Sequence, residues 1–373
     1  MLDQGIRLQL LIGPTVPLPA PYPVMSAFVS LDVTNRDRER DGFQMTFTLG
    51  KNTPLGYGLL QSGIFKPGNR VIIGVVINVL PQVLIDGIIT HHQVMPSNQA
   101  GESRLIVTGE DITLKLDLEE KSETFPNQSD SVIAMRLLAE YADLGLVPQV
   151  TPTTDFPIEI DRVPNQQGTD LAYLRQLAQR NGFVFYVEPT AVPGLNTAYW
   201  GLENRLGLPQ PPLSLNMGSE TNVDNPINFT HNALGPAAPM ITIVEPNSRM
   251  PITIPLPTGL QPPLARQPSV PLRRTIDRSS ASLSPTQAAQ RILAATGQTA
   301  DAVTASGEVD AVRYGRALRS RRLVSVRGVG DDFGGFYYVK EVTHQISVGQ
   351  YRQRFTLTRE GTGALTPIVP PGI

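Results

Sequence analysis

Residues 84–93 read LIDGIITHHQ, and residues 337–346 read YYVKEVTHQI. Set side by side without a gap, they place Thr90-His91 on Thr343-His344. The next segments match too: IVTGE (106–110) falls on TLTRE (356–360), with a longer loop in the first set. Before them, RVIIGVV (70–76) finds a rough partner in RLVSVRG (322–328). Each set reads strand, turn, strand, turn, strand. The spacing therefore predicts a duplicated chain with two similar antiparallel β-domains. The same reading bears on the adjacent histidines, which invite a metal site. Successive strand residues point to opposite faces, and zinc needs nitrogens about 2.0–2.1 Å away. His91 and His92 are therefore expected to be structural. His231 and His344 complete the histidine set, and no HExxH spacing exists.

Composition bounds the function. The 373 residues suffice for two or three domains with cores. A hydrophobic content of 40% with only 17% charged residues excludes a wholly disordered chain. A formal net charge of −2 gives no bulk attraction to nucleic acid or anionic membrane. The absence of cysteine excludes disulfides, thiolate nucleophiles and cysteine metal sites. The N-terminal apolar patch, Leu8 to Ile12, is flanked by Asp3 and Pro14 and is too short for a secretory signal. The window VIIGVVINVLPQVLIDGII is broken by Asn78, Pro81 and Asp86 and reads as two strands, the first turned into the second at Pro81. Assembly in the cytosol is the expectation. The 34 prolines cluster in loops, edges and linkers.

Ahead of the first set the chain is also strand-like, and after residue 117 the period changes. SAFVSLDV and GFQMTFTLG alternate as strands around the charged turn DRERDG, with Phe43, Met45, Phe47 and Leu49 on one face. NQSDSVIAMRLLAEYADLGL predicts a helix with Val132, Met135, Leu138 and Ala142 as its stripe, Ser129 or Asp130 as N-cap and Gly145 as stop. A second helix, GTDLAYLRQLAQRNG, carries Leu171, Leu174, Leu177 and Ala178, with Thr169 or Asp170 as cap, and leads into the aromatic strand FVFYVEP. Residues 246–283 read as an extended loop, followed by helices at SPTQAAQRILAATGQ and EVDAVRYGRALRSRR.

No motif argues for catalysis. Asp111, Asp117, Glu119 and Glu120 supply carboxylates near one strand end, without a cleft that glycoside cleavage would need. GVGDDFGG (328–335) is glycine-rich but bounded by strands, which favours a hairpin loop over a phosphate cradle. No G-x-S-x-G elbow occurs. The basic run Arg313 to Arg322 reads as a solvated face or a subunit contact.

Several stretches in order along the chain resemble one family. TDLAYLRQLAQRNGFVFYVEP (169–189), RYGRALRSRRLVSVRG (313–328), FYYVKEVTHQISVGQYRQRFTLTREG (336–361) and RDRERDGFQMTFTLG (36–50) are similar to the tail-hub proteins of contractile injection machines. These are the phage late control D family, the hub part of VgrG-type spikes, and the hubs of extracellular contractile injection systems. The resemblance implies a mainly β fold with α+β insertions: two similar antiparallel β-barrel-like domains, three chains closing a ring with pseudo-sixfold symmetry. Residues 1–117 would form the first β-barrel hub domain, 118–196 an α+β domain, and 197–245 with 316–365 the second barrel. Residues 246–315 would be a Pro-rich insertion with helices and 366–373 a C-terminal tail. The implied function is a structural, non-enzymatic baseplate hub, a homotrimer joining a threefold spike to a sixfold inner tube. The implied partners are the inner tail tube protein, baseplate wedge proteins and a spike. The sequence stops soon after the last hairpin, so the spike is expected to be a separate protein. No cofactor, metal, nucleic acid binding or membrane insertion is implied, and no interface residue is assigned. The protein would be part of a phage virion tail or injection particle. The alternatives are a tail protein with cell-wall hydrolase activity and a glycan-binding β-protein; a single Trp and 6% aromatic content argue against the latter.

Overall fold

The computed structural model describes residues 6–53, 56–99, 101–160, 162–244, 250–255, 262–277 and 301–365. The predicted helix at 284–298 and the tail at 366–373 lie outside the described residues.

The strands of the first half are β1 (Ile6–Gly13), β2 (Phe28–Arg36), β3 (Gly42–Thr48), β4 (Arg70–Ile77), β5 (Leu80–Met95) and β6 (Arg104–Asp111). An α+β portion follows: α1 (Asp130–Ala139), β7 (Leu146–Val150), α2 (Asp170–Asn181), β8 (Val184–Pro189) and β9 (Asn196–Gly201). The second half holds β10 (Gln210–Ser214), β11 (Asn228–His231), β12 (Val303–Asp310), the short α3 (Ala311–Tyr314), β13 (Leu323–Arg327), β14 (Gly335–Ser347) and β15 (Gln350–Arg359). One sheet runs β11-β12-β15-β14-β2-β3-β6-β5-β4-β1, and β13 joins it through β14 and β10 through β13. The fold is mainly β and antiparallel, with α+β material inserted between two similar halves.

The duplication is visible in the ladders. β2 to β6 and β11 to β15 follow the same connectivity and the same pairings. Arg70 faces Ile88 as Leu323 faces Tyr338. A bulge at Thr90 separates Ile89–Gly109 from His91–Thr108, and one at Lys340 separates Val339–Leu357 from Glu341–Thr356. Phe43 faces Gly109 as Ala305 faces Leu357, and Val33 faces Phe43 as Phe229 faces Ala305. The loop before the first strand of each hairpin closes alike: Gly68 and Asn69 exchange bonds of 2.8 and 2.9 Å with Ile89, as Arg321 and Arg322 do with Val339. In the second repeat, residues 232–302 replace the short turn 37–41 between the first two strands. Bulges and loop closures are costly irregularities that pin register, so their recurrence fixes the equivalence.

The sequence pairing found the right strands in the wrong register. Thr90 is equivalent to Lys340, three positions before the expected Thr343, and Thr108 to Thr356, two before the expected Thr358. The environments agree: His344 is fully buried whereas His91 is exposed. A one-residue slip exchanges the faces of a strand, so the Thr-His echo does not mark equivalent positions.

Other expectations are corrected by packing. The turn between β4 and β5 is Asn78-Val79, both at positive φ (48° and 65°), and Pro81 sits within β5. The predicted helix EVDAVRYGRALRSRR is the end of β12 followed by α3, because Val303 to Asp310 pair along β15. α1 buries Ile133, Ala134, Leu137 and Leu138, while Val132 and Met135 are exposed. Its N-cap is Ser129, as read, and Gly145 ends the next turn in a left-handed conformation. α2 is capped by Thr169, stopped by Gly182, and buries Leu171, Leu174, Leu177 and Ala178, as read.

Each repeat has its own apolar core, and the α+β portion a third around Trp200, whose Nε1 donates to the Leu174 carbonyl at 3.1 Å. Phe43 packs flat across β6 because position 109 is glycine. A Cβ there would lie 2.3 Å from both the Ile88 carbonyl oxygen and the Phe43 ring. Gly109→Ala is therefore expected to lower unfolding free energy by about 1–3 kcal/mol, measurable by urea titration; an unchanged midpoint would contradict the close packing.

Candidate assembly interface

The repeats join through one strand pair. β13 occupies one side of β14 only along Gly335 to Tyr338. The outer half of that side, Glu341 to Ser347, takes up β2 from Arg36 to Ser30. Thr34 and Thr343 hydroxyls meet at 3.1 Å, and Arg36 Nε reaches Glu341 at 3.3 Å. Leu31 and Val33 of β2 and Val342, His344 and Ile346 of β14 are buried, so the seam is continuous with both cores.

A buried polar cluster locks the seam from below. Asp41, at the end of the charged turn, is 1% exposed and Arg321, which precedes β13, is 3% exposed. Arg321 donates to both Asp41 oxygens at 3.1 and 2.8 Å. Asn35 Nδ2 and the Arg36 amide also donate to Asp41, at 3.0 and 2.8 Å. The Asp41 amide donates to Asp111 at 2.7 Å. The Arg321 guanidinium lies 4.5 Å from the Tyr186 ring, adding β8 of the α+β portion. One side chain thus ties together both repeats and the portion between them. Burial works against the Arg321 charge, but Asp41 outweighs it and holds the pKa above the usual guanidinium value. Asp111 is pushed up to about 6, first by burial and then by the Asp41 carboxylate. Both carboxylates are buried.

The residues singled out in the sequence do not converge. His91 Nδ1 meets Thr90 Oγ1 at 3.0 Å, whereas His92 Nδ1 meets the Phe65 carbonyl at 3.2 Å. Among the described residues, no group of three His, Asp or Glu could hold a metal ion. Asp117 pairs with Arg40 and accepts from Thr169 at 2.5 Å. The basic run divides between solvent-facing pairs, at Arg313 and Arg322, and inward contacts, at Arg319 and Arg321. Arg313 pairs with Asp224, Arg319 donates to the Val83 carbonyl at 2.6 Å, and Arg322 pairs with Glu188 at 2.8 Å. The loop 328–335 is a hairpin connection from β13 to β14, as read. Sequence reading missed Asp41 and Arg321 because each sits in a run of charges, DRERD and RSRR, that reads as solvent-facing.

Comparison with solved structures places this geometry. The tail protein of Neisseria meningitidis MC58 superposes with a TM-score of 0.61 at 14% identity, covering 96% of this chain and 98% of that one. The 43 kDa tail protein of prophage MuSo2 from Shewanella oneidensis gives 0.64 at 13% identity, covering 95% and 98%. This chain has a phage tail protein fold. A component of the Escherichia coli type VI secretion system, described as similar to T4 bacteriophage tail proteins, matches at 0.55 and 14% identity over 92% of this chain and 77% of its own. No curated protein matches in sequence. A family model described as the Alg8 N-terminal domain matches residues 43–195. That match begins inside β3 and stops before β9, so it spans no complete repeat.

Proposed function

We propose that the chain is the structural hub of a contractile injection particle, a homotrimer that joins a threefold spike to a sixfold inner tube. The observation that carries this is the duplication joined by an internal seam, on a chain that follows the tail protein fold over 95–96% of its length. Three chains with two equivalent units each present six units to a tube and three to a spike. The chain does this without catalysis, cofactor or metal, with the spike, the inner tube protein and baseplate wedges as its partners. Its place is the tail of a phage or a related particle assembled in the cytoplasm. In this reading the 1–117 portion is one hub domain and 197–245 with 303–365 the other, because β12 and α3, expected in the 246–315 insertion, belong to the second repeat; 118–196 and the rest of the insertion are decoration. Light scattering of the purified chain is expected to give three times the 40.5 kDa chain mass, and that mass plus the bound partner's when tube or spike protein is added. A chain that stays monomeric and retains neither partner would overturn the reading.

A further inference from the structure

The internal seam leaves its own two halves open elsewhere in the chain. β5 is built as β14 is. β4 occupies one side of it along Leu80 to Ile88, and the Gly68–Asn69 loop closes at Ile89. Beyond that point His91 to Met95 pair with β6 on one side. On the other side, where β14 receives β2, no strand pairs with them among the described residues. The equivalent of β2 is β11. Among the described residues it pairs with β12 on one side and with no strand on the other. Each chain therefore carries one seam complete, and one unfilled half of each kind.

The composition of the open halves fits pairing. Exposed edge strands are ordinarily protected by charge, proline or bulges. NFTH (228–231) and HHQVM (91–95) contain no Asp, Glu, Lys, Arg or Pro. The filled seam, by contrast, carries Asp32, Arg36 and Glu341. The apolar side chains are already seated on the correct cores: Val94 packs partly on the core of the first repeat, and Phe229 on that of the second.

We propose that β11 of one chain pairs antiparallel with the outer half of β5 in a second copy, repeating the β2–β14 seam between molecules. The inference names the contact that would close the trimer proposed above, and it rests on that reading. The equivalences set the register. Thr34 opposite Thr343 becomes Thr230 opposite Gln93. Val33 opposite His344 becomes Phe229 opposite Val94, which joins the two cores across the boundary as the internal seam does. Asn35 opposite Val342 becomes His231 opposite His92, so two imidazoles share the inward face; the His231 ring now meets Ser269 at 2.9 Å. The contact is head-to-tail, since each chain offers one half to each neighbour, and such contacts end only by closing a ring.

The chain has no cysteine, which makes cross-linking clean. The Thr34→Cys, Thr343→Cys variant is the internal control, because those hydroxyls already lie 3.1 Å apart. Chains carrying only Gln93→Cys, mixed with chains carrying only Thr230→Cys and oxidised, are expected to give a species of twice the chain mass on a non-reducing gel. Replacing Gln93→Cys by His91→Cys moves the thiol two positions along and is expected to lose that band. His231→Lys, exposed in the single chain and inward in the proposed seam, is expected to reduce the assembled mass to that of one chain while leaving the urea midpoint in place. If the control closes and the protein is oligomeric, yet the Gln93/Thr230 mixture stays single, the seam is wrong and the trimer stands. If the protein is monomeric throughout, both fall.

Discussion

Acidification from pH 6.5 towards pH 3 is expected to destabilise the fold through one residue, His344. It is fully buried, and its Nδ1 is 2.8 Å from the Tyr351 hydroxyl. Burial, and secondarily the Arg319 charge, push its pKa down from 6.5 to about 3. In that window the unfolded chain binds a proton that the folded chain refuses. The unfolded state therefore gains as pH falls, at about 1.4 kcal/mol per pH unit. Asp111 acts with the opposite sign. Its pKa is raised from 3.8 to about 6, so the folded state holds a proton the unfolded state has lost, and stability rises as pH falls through that narrower window. The two partly cancel between about pH 6 and 4. Urea unfolding at pH 7, 6, 5, 4 and 3 would separate them. His344→Asn should turn the response between pH 6 and 4 into a gain on acidification, and Asp111→Asn should leave the full loss of the histidine. Parallel curves for His344→Asn and the parent would show that the histidine does not hold its neutral form.

The fold was legible where one face of an element is buried and a terminus is chemically marked. Phe43, Met45, Phe47 and Leu49 alternate as read and are all buried, and α2 starts and stops at its Thr and Gly signals. The stripe of α1 was misread because its buried face, Ile133 with Ala134 and Leu137 with Leu138, lies nearly half a turn from Val132 and Met135, which are equally apolar but exposed. Apolar character alone does not say which side meets the core. The duplication was legible as strand order but not as register. Register is carried by bulges at Thr90 and Lys340 and by loop closures onto Ile89 and Val339, which are backbone events without a residue signature. The open halves of the seam were illegible for a related reason. A strand edge is free only relative to its neighbours, and HHQVM and NFTH gain meaning when the filled equivalents are known. The Asp41–Arg321 pair, 280 positions apart in sequence, was hidden among surface-like charges.

That pair carries the second large expectation. Arg321→Met should cost about 3–5 kcal/mol, because it leaves Asp41 buried with its cationic partner gone. Arg321→Lys should recover only part of the loss, since an ammonium cannot make the two-pronged contact or lie flat over Tyr186. Arg321 also sits at φ 62°, where its equivalent Gly68 sits at 94°. Backbone and charge can therefore be separated: Arg321→Gly relieves the left-handed conformation and should be about 1 kcal/mol less damaging than Arg321→Ala. Adding Asp41→Asn to Arg321→Met should restore stability relative to the single variant, because the orphaned charge is gone. Urea midpoints of these five variants test the set. A loss below about 1 kcal/mol for Arg321→Met would place the pair among ordinary surface bridges. The seam would then be held by its strand ladder and apolar face alone. The intermolecular seam has those two features but no counterpart of the pair, since Gly68 stands where Arg321 does. The internal joint should thus outlast the one between chains, and rising urea should part the chains before it opens either repeat.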